Sequence, residues 1–300
     1  MVRCLFCKES SHETKGVEHL IPESFGSKKL VLPKGLVCDK CNNYFARKVE
    51  RPVMSHPSMR NVRGWYQVPN KKGKMPSVLG YIAGTEIQVN MKLDKNEKLQ
   101  IRAEKASEQA IVDGYLKDMQ ATGEFPPFIF PVDIDPPQQE MSRFLAMFAL
   151  EALALRFSYA GDQDLIIDEP SFDLIRNYAR YGKGVKEWPF HRQVLFPMDT
   201  LMRHPESGEW VQVGFGHDII ITPTPETYVS FNLYGVQFTI NAGGPSIHGY
   251  EMWLKDNDPL ERAGNELVKR MVNGKEQFYL EGDFCMKNGA EYDRRNWLNK

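Results

Sequence analysis

Cysteine is scarce in this chain: five residues among 300, four of them within the first 41 positions. The odd count leaves Cys285 outside any pattern, which argues against a disulfide framework and fits a reducing compartment. Long hydrophobic runs are missing too. The most apolar stretch, Met141 to Phe157, is interrupted by Arg143, Glu151 and Arg156, so it is too short and too charged to span a bilayer. The opening Met-Val-Arg-Cys carries no apolar leader, and the expectation is a soluble, cytoplasmic protein with no membrane partner. There is no internal repeat, no glycine-rich phosphate loop, and no nucleophile–base motif beyond residue 76. Gly243-Gly244 reads as a turn and nothing more.

A charge excess of one sign is also lacking overall, since the formal net charge is −1. That balance hides an asymmetry. Residues 1–75 hold fifteen Lys and Arg against six Asp and Glu, and the remainder holds 23 against 33. A basic end on an acidic body is the footprint of a chain that meets phosphate at that end.

What is present is concentrated between Cys4 and Glu50. Cys4-x-x-Cys7 and Cys38-x-x-Cys41 are two knuckles that supply four thiolates, the number a tetrahedral structural Zn²⁺ requires. Between them lies Glu18-His19-Leu20-Ile21-Pro22, and Asn42 follows the last cysteine. Glu18 and Asn42 offer two oxygens to a harder cation such as Mg²⁺ or Mn²⁺, which keeps several waters and leaves room for a phosphate. His19 is placed to take a proton from an attacking water.

These residues, with Gly26 in the turn after Pro22, resemble the HNH endonuclease family, the ββα-metal nucleases. The four-cysteine form is similar to phage endonuclease VII. The resemblance covers about residues 1–52. It implies that Cys4, Cys7, Cys38 and Cys41 hold the structural zinc, that Glu18 and Asn42 bind the catalytic divalent cation, and that His19 is the general base. Two departures stand out: Glu18 occupies a place where Asp is commoner, and no His follows two helical turns after Asn42, where Glu50 stands instead. The alternative is a zinc ribbon that binds nucleic acid without cutting it, the usual meaning of paired knuckles alone. His12, His56, His191, His204, His217 and His248 sit in no ligand spacing.

The expected fold is α+β: a small zinc-stabilised ββα-metal module followed by a larger α+β domain with antiparallel strands. Residues 1–55 are read as the nuclease domain, 56–75 as a basic linker, and 76–300 as a domain serving recognition, oligomerisation or regulation. Within the module, Gly16–Ile21 reads as a strand that Pro22 ends. A helix follows from Asn42, with Phe45 and Val49 buried and Pro52 at its end. Arg47 and Lys48 on its wetter side, and Lys71 and Lys72 beyond, are candidates for contact with a nucleic-acid backbone. Trp65 and Tyr66 lie among the basic residues of 51–75, placed either to stack on bases or to pack into the next domain.

Downstream, Val78–Ala83, Glu86–Leu93 and Leu99–Ala103 alternate as a meander turning at Asp94-Lys95-Asn96. Ser107–Met119, Pro137–Ser158 and Phe172–Tyr181 read as helices, the second a core helix. Further strands are expected at Gln193–Pro197, Trp210–Gly214, Asp218–Thr222, Tyr228–Ile240 and Phe278–Phe284, with a hairpin turn at Glu206-Ser207-Gly208 and a helix over Leu260–Val272. The function expected is metal-dependent cleavage of nucleic acid, DNA before RNA, with bacterial or phage defence as one setting. A small-molecule or protein regulator of the body, and self-association, remain open.

Overall fold

The computed structural model describes residues 2–27, 30–70, 73–93, 99–124, 128–204, 208–263 and 265–282. In chain order the helices are α1 (Asp39–Phe45), α2 (Arg51–Ser55), α3 (Pro57–Trp65), α4 (Gln109–Thr122), α5 (Gln138–Ser158), α6 (Gln163–Asp168), α7 (Asp173–Tyr181), α8 (His248–Trp253) and α9 (Pro259–Ala263). The strands are β1 (Val78–Ile82), β2 (Gln88–Leu93), β3 (Leu99–Ala103), β4 (Phe128–Ile129), β5 (Phe190–Val194), β6 (Leu201–Arg203), β7 (Trp210–Gln212), β8 (Phe215–Ile221), β9 (Thr227–Leu233), β10 (Val236–Asn241), β11 (Asn265–Val272) and β12 (Lys275–Gly282). The fold is α+β. The chain forms two compact units, one of Met1–Ile21, Lys28–Glu50 and Gln138–Lys300, the other of Pro22–Ser27 and Arg51–Pro137.

In the second unit the antiparallel order β3-β2-β1-β4 follows from the period-two pattern of β1, whose outward Tyr81 alternates with buried Val78 and Ile82. Helix α4 covers it, closing a core of Ile82, Val89, Ile101 and Val112. Buried Asn61 on α3 acts as a peptide surrogate: its Nδ2 donates to Leu79 O and Pro131 O, and its Oδ1 accepts from Leu79 N. Gly80 is required where a Cβ would stand 2.6 Å from Ile129 O. Residues 57–65, within the stretch read as a linker, are therefore part of a packed helix. Trp65 ends it with half its surface exposed.

The first unit is built around α5. Its residues from Met141 to Leu155 are buried, Arg143 being half-buried, as expected of a helix apolar on all sides. One face packs on the sheet β5-β10-β9-β8, where Phe144 and Phe148 meet Phe231 at ring distances of 5.6 and 5.1 Å. Ser142 Oγ donates to Trp188 O and pairs with Tyr178 OH on α7. A further sheet, β11-β12-β6-β7, pairs β12 with β6 in parallel and carries a small core of Phe196, Met202, Val213 and Leu280.

Three expectations are corrected. Pro52 does not end the helix: the chain runs from α1 through a π-helical turn, Ala46–Glu50, into α2, and the wider turn just before Pro52 makes room for a ring that would clash with a regular preceding turn. Leu260–Val272 is not one helix. It is α9 followed by β11, because Val268 and its neighbours are claimed by the hairpin with β12, a tertiary choice that outweighs local propensity. Tyr228–Ile240 is two strands joined at Tyr234-Gly235, both at positive φ, the signature of a tight hairpin turn. The turns expected at Asp94-Lys95-Asn96 and around Glu206-Ser207 lie outside the described residues. Among the described residues no helix is long and apolar enough to cross a membrane.

Candidate functional site

The two knuckles come together. Lys8 takes a positive φ and donates its N–H to Cys4 O at 2.9 Å, while Cys4 N bonds Glu9 O. That tight reversal turns both sulfurs of the first knuckle the same way. The second knuckle runs into α1, with Cys38 extended at the N-cap and Cys41 one turn in. Gly35, at φ 88°, lets the chain approach closely enough for Ser11 Oγ to bond its carbonyl. Leu5 N bonds Leu36 O at 2.8 Å, tying the two knuckles into one body.

All four sulfurs lie within 4.8 Å of one another, and Cys7 Sγ is 3.7 Å from Cys38 Sγ. A tetrahedral ion with Zn–S bonds of about 2.3 Å places its sulfurs about 3.8 Å apart. The cluster therefore fits a structural zinc. Cys4 and Cys41 are fully buried; the hydrogen bond between them lowers the Cys4 thiol to about 4 and, with burial, pushes Cys41 upward, while burial raises Cys7 to about 11. Four such groups share a site as thiolates only around a cation.

The four-thiol cluster is buttressed by α7. Arg180 directs Nε at Cys41 Sγ, 3.4 Å away, and lays its guanidinium 3.9 Å over the Tyr44 ring. One turn earlier, buried Arg176 donates to Leu5 O at 2.8 Å and to Ile166 O at 2.6 Å. At the edge, Arg3 forks onto both oxygens of Asp168, each at 2.7 Å, and holds that carboxyl below the usual range.

The first arm of the module is narrower than a regular strand. His19 bridges Val31, Leu20 N bonds Leu30 O, and Leu32 N bonds Glu18 O. Two side chains of α1 pin this hairpin to the helix. Asp39 accepts from Gly16 N at 2.7 Å and Lys15 N at 3.1 Å, which lowers its pKa. Asn42 Nδ2 donates to Val17 O at 3.1 Å. With its nitrogen committed, the oxygen of Asn42 is the atom left to accept, or to ligate. The sequence reading missed Asp39; an acid one residue after Cys38 looks like ordinary first-turn chemistry.

The remaining candidates fall as follows. Glu18 is buried and His19 half-buried, so alternation along the hairpin turns them to different faces. Phe45 and Val49 are buried. Glu50 closes the π-helical turn and is half-buried. A π turn adds one residue, so position 50 returns beneath position 42 on the helix. Arg47 and Lys48 are exposed on that turn, with Arg47 Nε bonded to Asn43 O. Lys71, Lys72 and Cys285 lie outside the described residues. Among the described residues, the four thiols are the one group of three or more Cys, His, Asp or Glu side chains gathered to within 4.8 Å.

A hairpin clamped by a four-thiol site to the start of a helix, with an acid–imidazole pair on the hairpin and an amide on the helix, defines a ββα-metal type of module. Comparison with protein families agrees: residues 4–58 match the model of the HNH endonuclease family. That segment is an HNH-type module with a four-cysteine cluster. No curated protein and no solved structure matches the chain.

Proposed function

We propose that the chain is a metal-dependent endonuclease that hydrolyses phosphodiester bonds in nucleic acid, DNA before RNA, with residues 4–58 as its cutting module. The observation that supports this best is the double pinning of the hairpin to α1 by Asp39 and Asn42, which brings the Glu18-His19 pair to the helix that carries Asn42. Cys4, Cys7, Cys38 and Cys41 hold the structural zinc and fix that geometry. Glu18 and Asn42 hold a divalent cation, Mg²⁺ or Mn²⁺. The buried carboxylate of Glu18 and an amide oriented by Val17 O suit that donor set. When bound, the ion supplies Lewis-acid stabilisation of charge on the phosphate.

His19, half-buried on the other face of the hairpin, accepts the proton of the attacking water at its imidazole. The module orients that imidazole with a main-chain bridge to Val31 and not with a flexible loop. Arg47 and Lys48, exposed on the π turn, contact the backbone electrostatically, and Lys71 and Lys72 are further candidates for such contact. By the family resemblance the products carry 5′-phosphate and 3′-hydroxyl ends. Residues 76–300 serve recognition, oligomerisation or regulation, with defence against foreign nucleic acid as one setting; a cytoplasmic location suits the reduced thiols.

Plasmid incubated with the purified chain and Mg²⁺ or Mn²⁺ tests this reading. Nicking by the wild type that is lost in Glu18→Ala and His19→Ala, with zinc content kept, is the expected result. Salt-dependent DNA binding with no cleavage in any metal would establish the zinc-ribbon alternative.

A further inference from the structure

Helix α5 carries one charged residue through the middle of its buried span. Glu151 has no solvent exposure, and among the described residues neither of its carboxylate oxygens has a hydrogen-bond partner. A buried carboxylate without a partner is costly, and an apolar residue there would serve α5 better. Its surroundings make this stranger still. Helix α5 packs against the π-helical turn that ends in Glu50, and the charges bearing on Glu151 after burial itself are those of Glu18, then Glu50, then Cys4. Glu18 and Glu50, from two other segments, thus lie within electrostatic reach of Glu151, and no basic side chain is among the charges that act on it.

We infer that Glu151 is a ligand of the divalent cation held by Glu18 and Asn42, so that the cutting centre is completed by a helix far outside the family segment. The inference rests on the nuclease reading. Glu18 and Asn42 leave several coordination positions open, and a hard cation takes carboxylate oxygen by preference. The ion would resolve at once the missing partners of Glu151 and the like-charge crowding with Glu18 and Glu50. It also gives a reason for a single acid amid Leu150, Ala152 and Leu153, all buried. The module would then be incompetent for cation binding until docked on α5.

The test is Mn²⁺ binding to the zinc-loaded full chain at pH 7.5, followed by electron paramagnetic resonance of the free ion, together with thermal melts. Wild type, Glu18→Ala and Glu151→Gln are compared, with Glu151→Met as a second variant that keeps helix and volume. The expectation is that both position-151 variants weaken Mn²⁺ binding at least tenfold while keeping four thiols and zinc. They should also melt higher than wild type without Mn²⁺ and gain less than wild type when it is added. That crossover is not produced by a merely structural acid. If wild type binds Mn²⁺, Glu18→Ala loses it and the position-151 variants bind normally, the inference falls while the nuclease reading stands. If wild type binds no Mn²⁺, both fall.

Discussion

Arg176 offers the sharpest test of how the knuckles are held. Replacing it with Met keeps most of the buried alkyl packing and removes the guanidinium. Two charge-assisted bonds, to Leu5 O at 2.8 Å and Ile166 O at 2.6 Å, are lost, each worth about 1.5–3 kcal/mol. The ion pair with Asp173, whose carboxylate is 46% exposed, adds less than about 1 kcal/mol. Relief from burying a cation offsets part of the total, since burial already drives the Arg176 pKa down. The net expectation is a loss of about 3 kcal/mol, or roughly 6–12 °C in melting temperature at about 2–4 °C per kcal/mol. Because Leu5 lies between Cys4 and Cys7, zinc should also transfer faster to a chromogenic chelator. Calorimetry and the chelator assay together read this out. A melting temperature within 2 °C of wild type with an unchanged release rate would refute the keyed-knuckle reasoning.

Two further outcomes follow from the geometry. In Gly16→Ala the new Cβ would stand 2.8 Å from Asp39 Oδ1; the carboxylate must swing off Lys15 N and Gly16 N, so cleavage should fall about tenfold or more while zinc content stays the same, as measured by nicking rate and metal analysis. Burial depresses the His217 pKa from 6.5 to about 4, so its contribution is present in full above pH 6.5 and is lost as pH falls toward 4. By pH 5 it has lost about 2 kcal/mol, and denaturant titrations of His217→Gln should decline that much less than wild type between pH 7 and 5.

Much of the scaffold could be read in the residues because its signals are local. The knuckle spacing, the alternation in β1 to β3 and the unbroken apolar surface of α5 each announce themselves within a few positions. The strand ends and the α9–β11 stretch did not, because β12, distant in intent if near in sequence, decides them. The supports of the site were the least legible. Arg176 and Arg180, four apart on α7, look in sequence like a solvated helix face, yet both are buried against the knuckles. Glu151 looked only like a break in an apolar run, and its setting exists only once α5 packs against the π turn. The seam that joins module and body within the first unit is written in pairs separated by well over a hundred residues, where no spacing rule reaches.

The central claim is that His19 draws a proton from water at a phosphodiester. Cleavage of an end-labelled duplex by zinc-loaded His19→Ala in Mg²⁺, with and without added imidazole, addresses it most directly. The expected rate is at least 100-fold below wild type, partly restored by imidazole, with 5′-phosphate ends in both cases. Cutting by His19→Ala at the wild-type rate would contradict it.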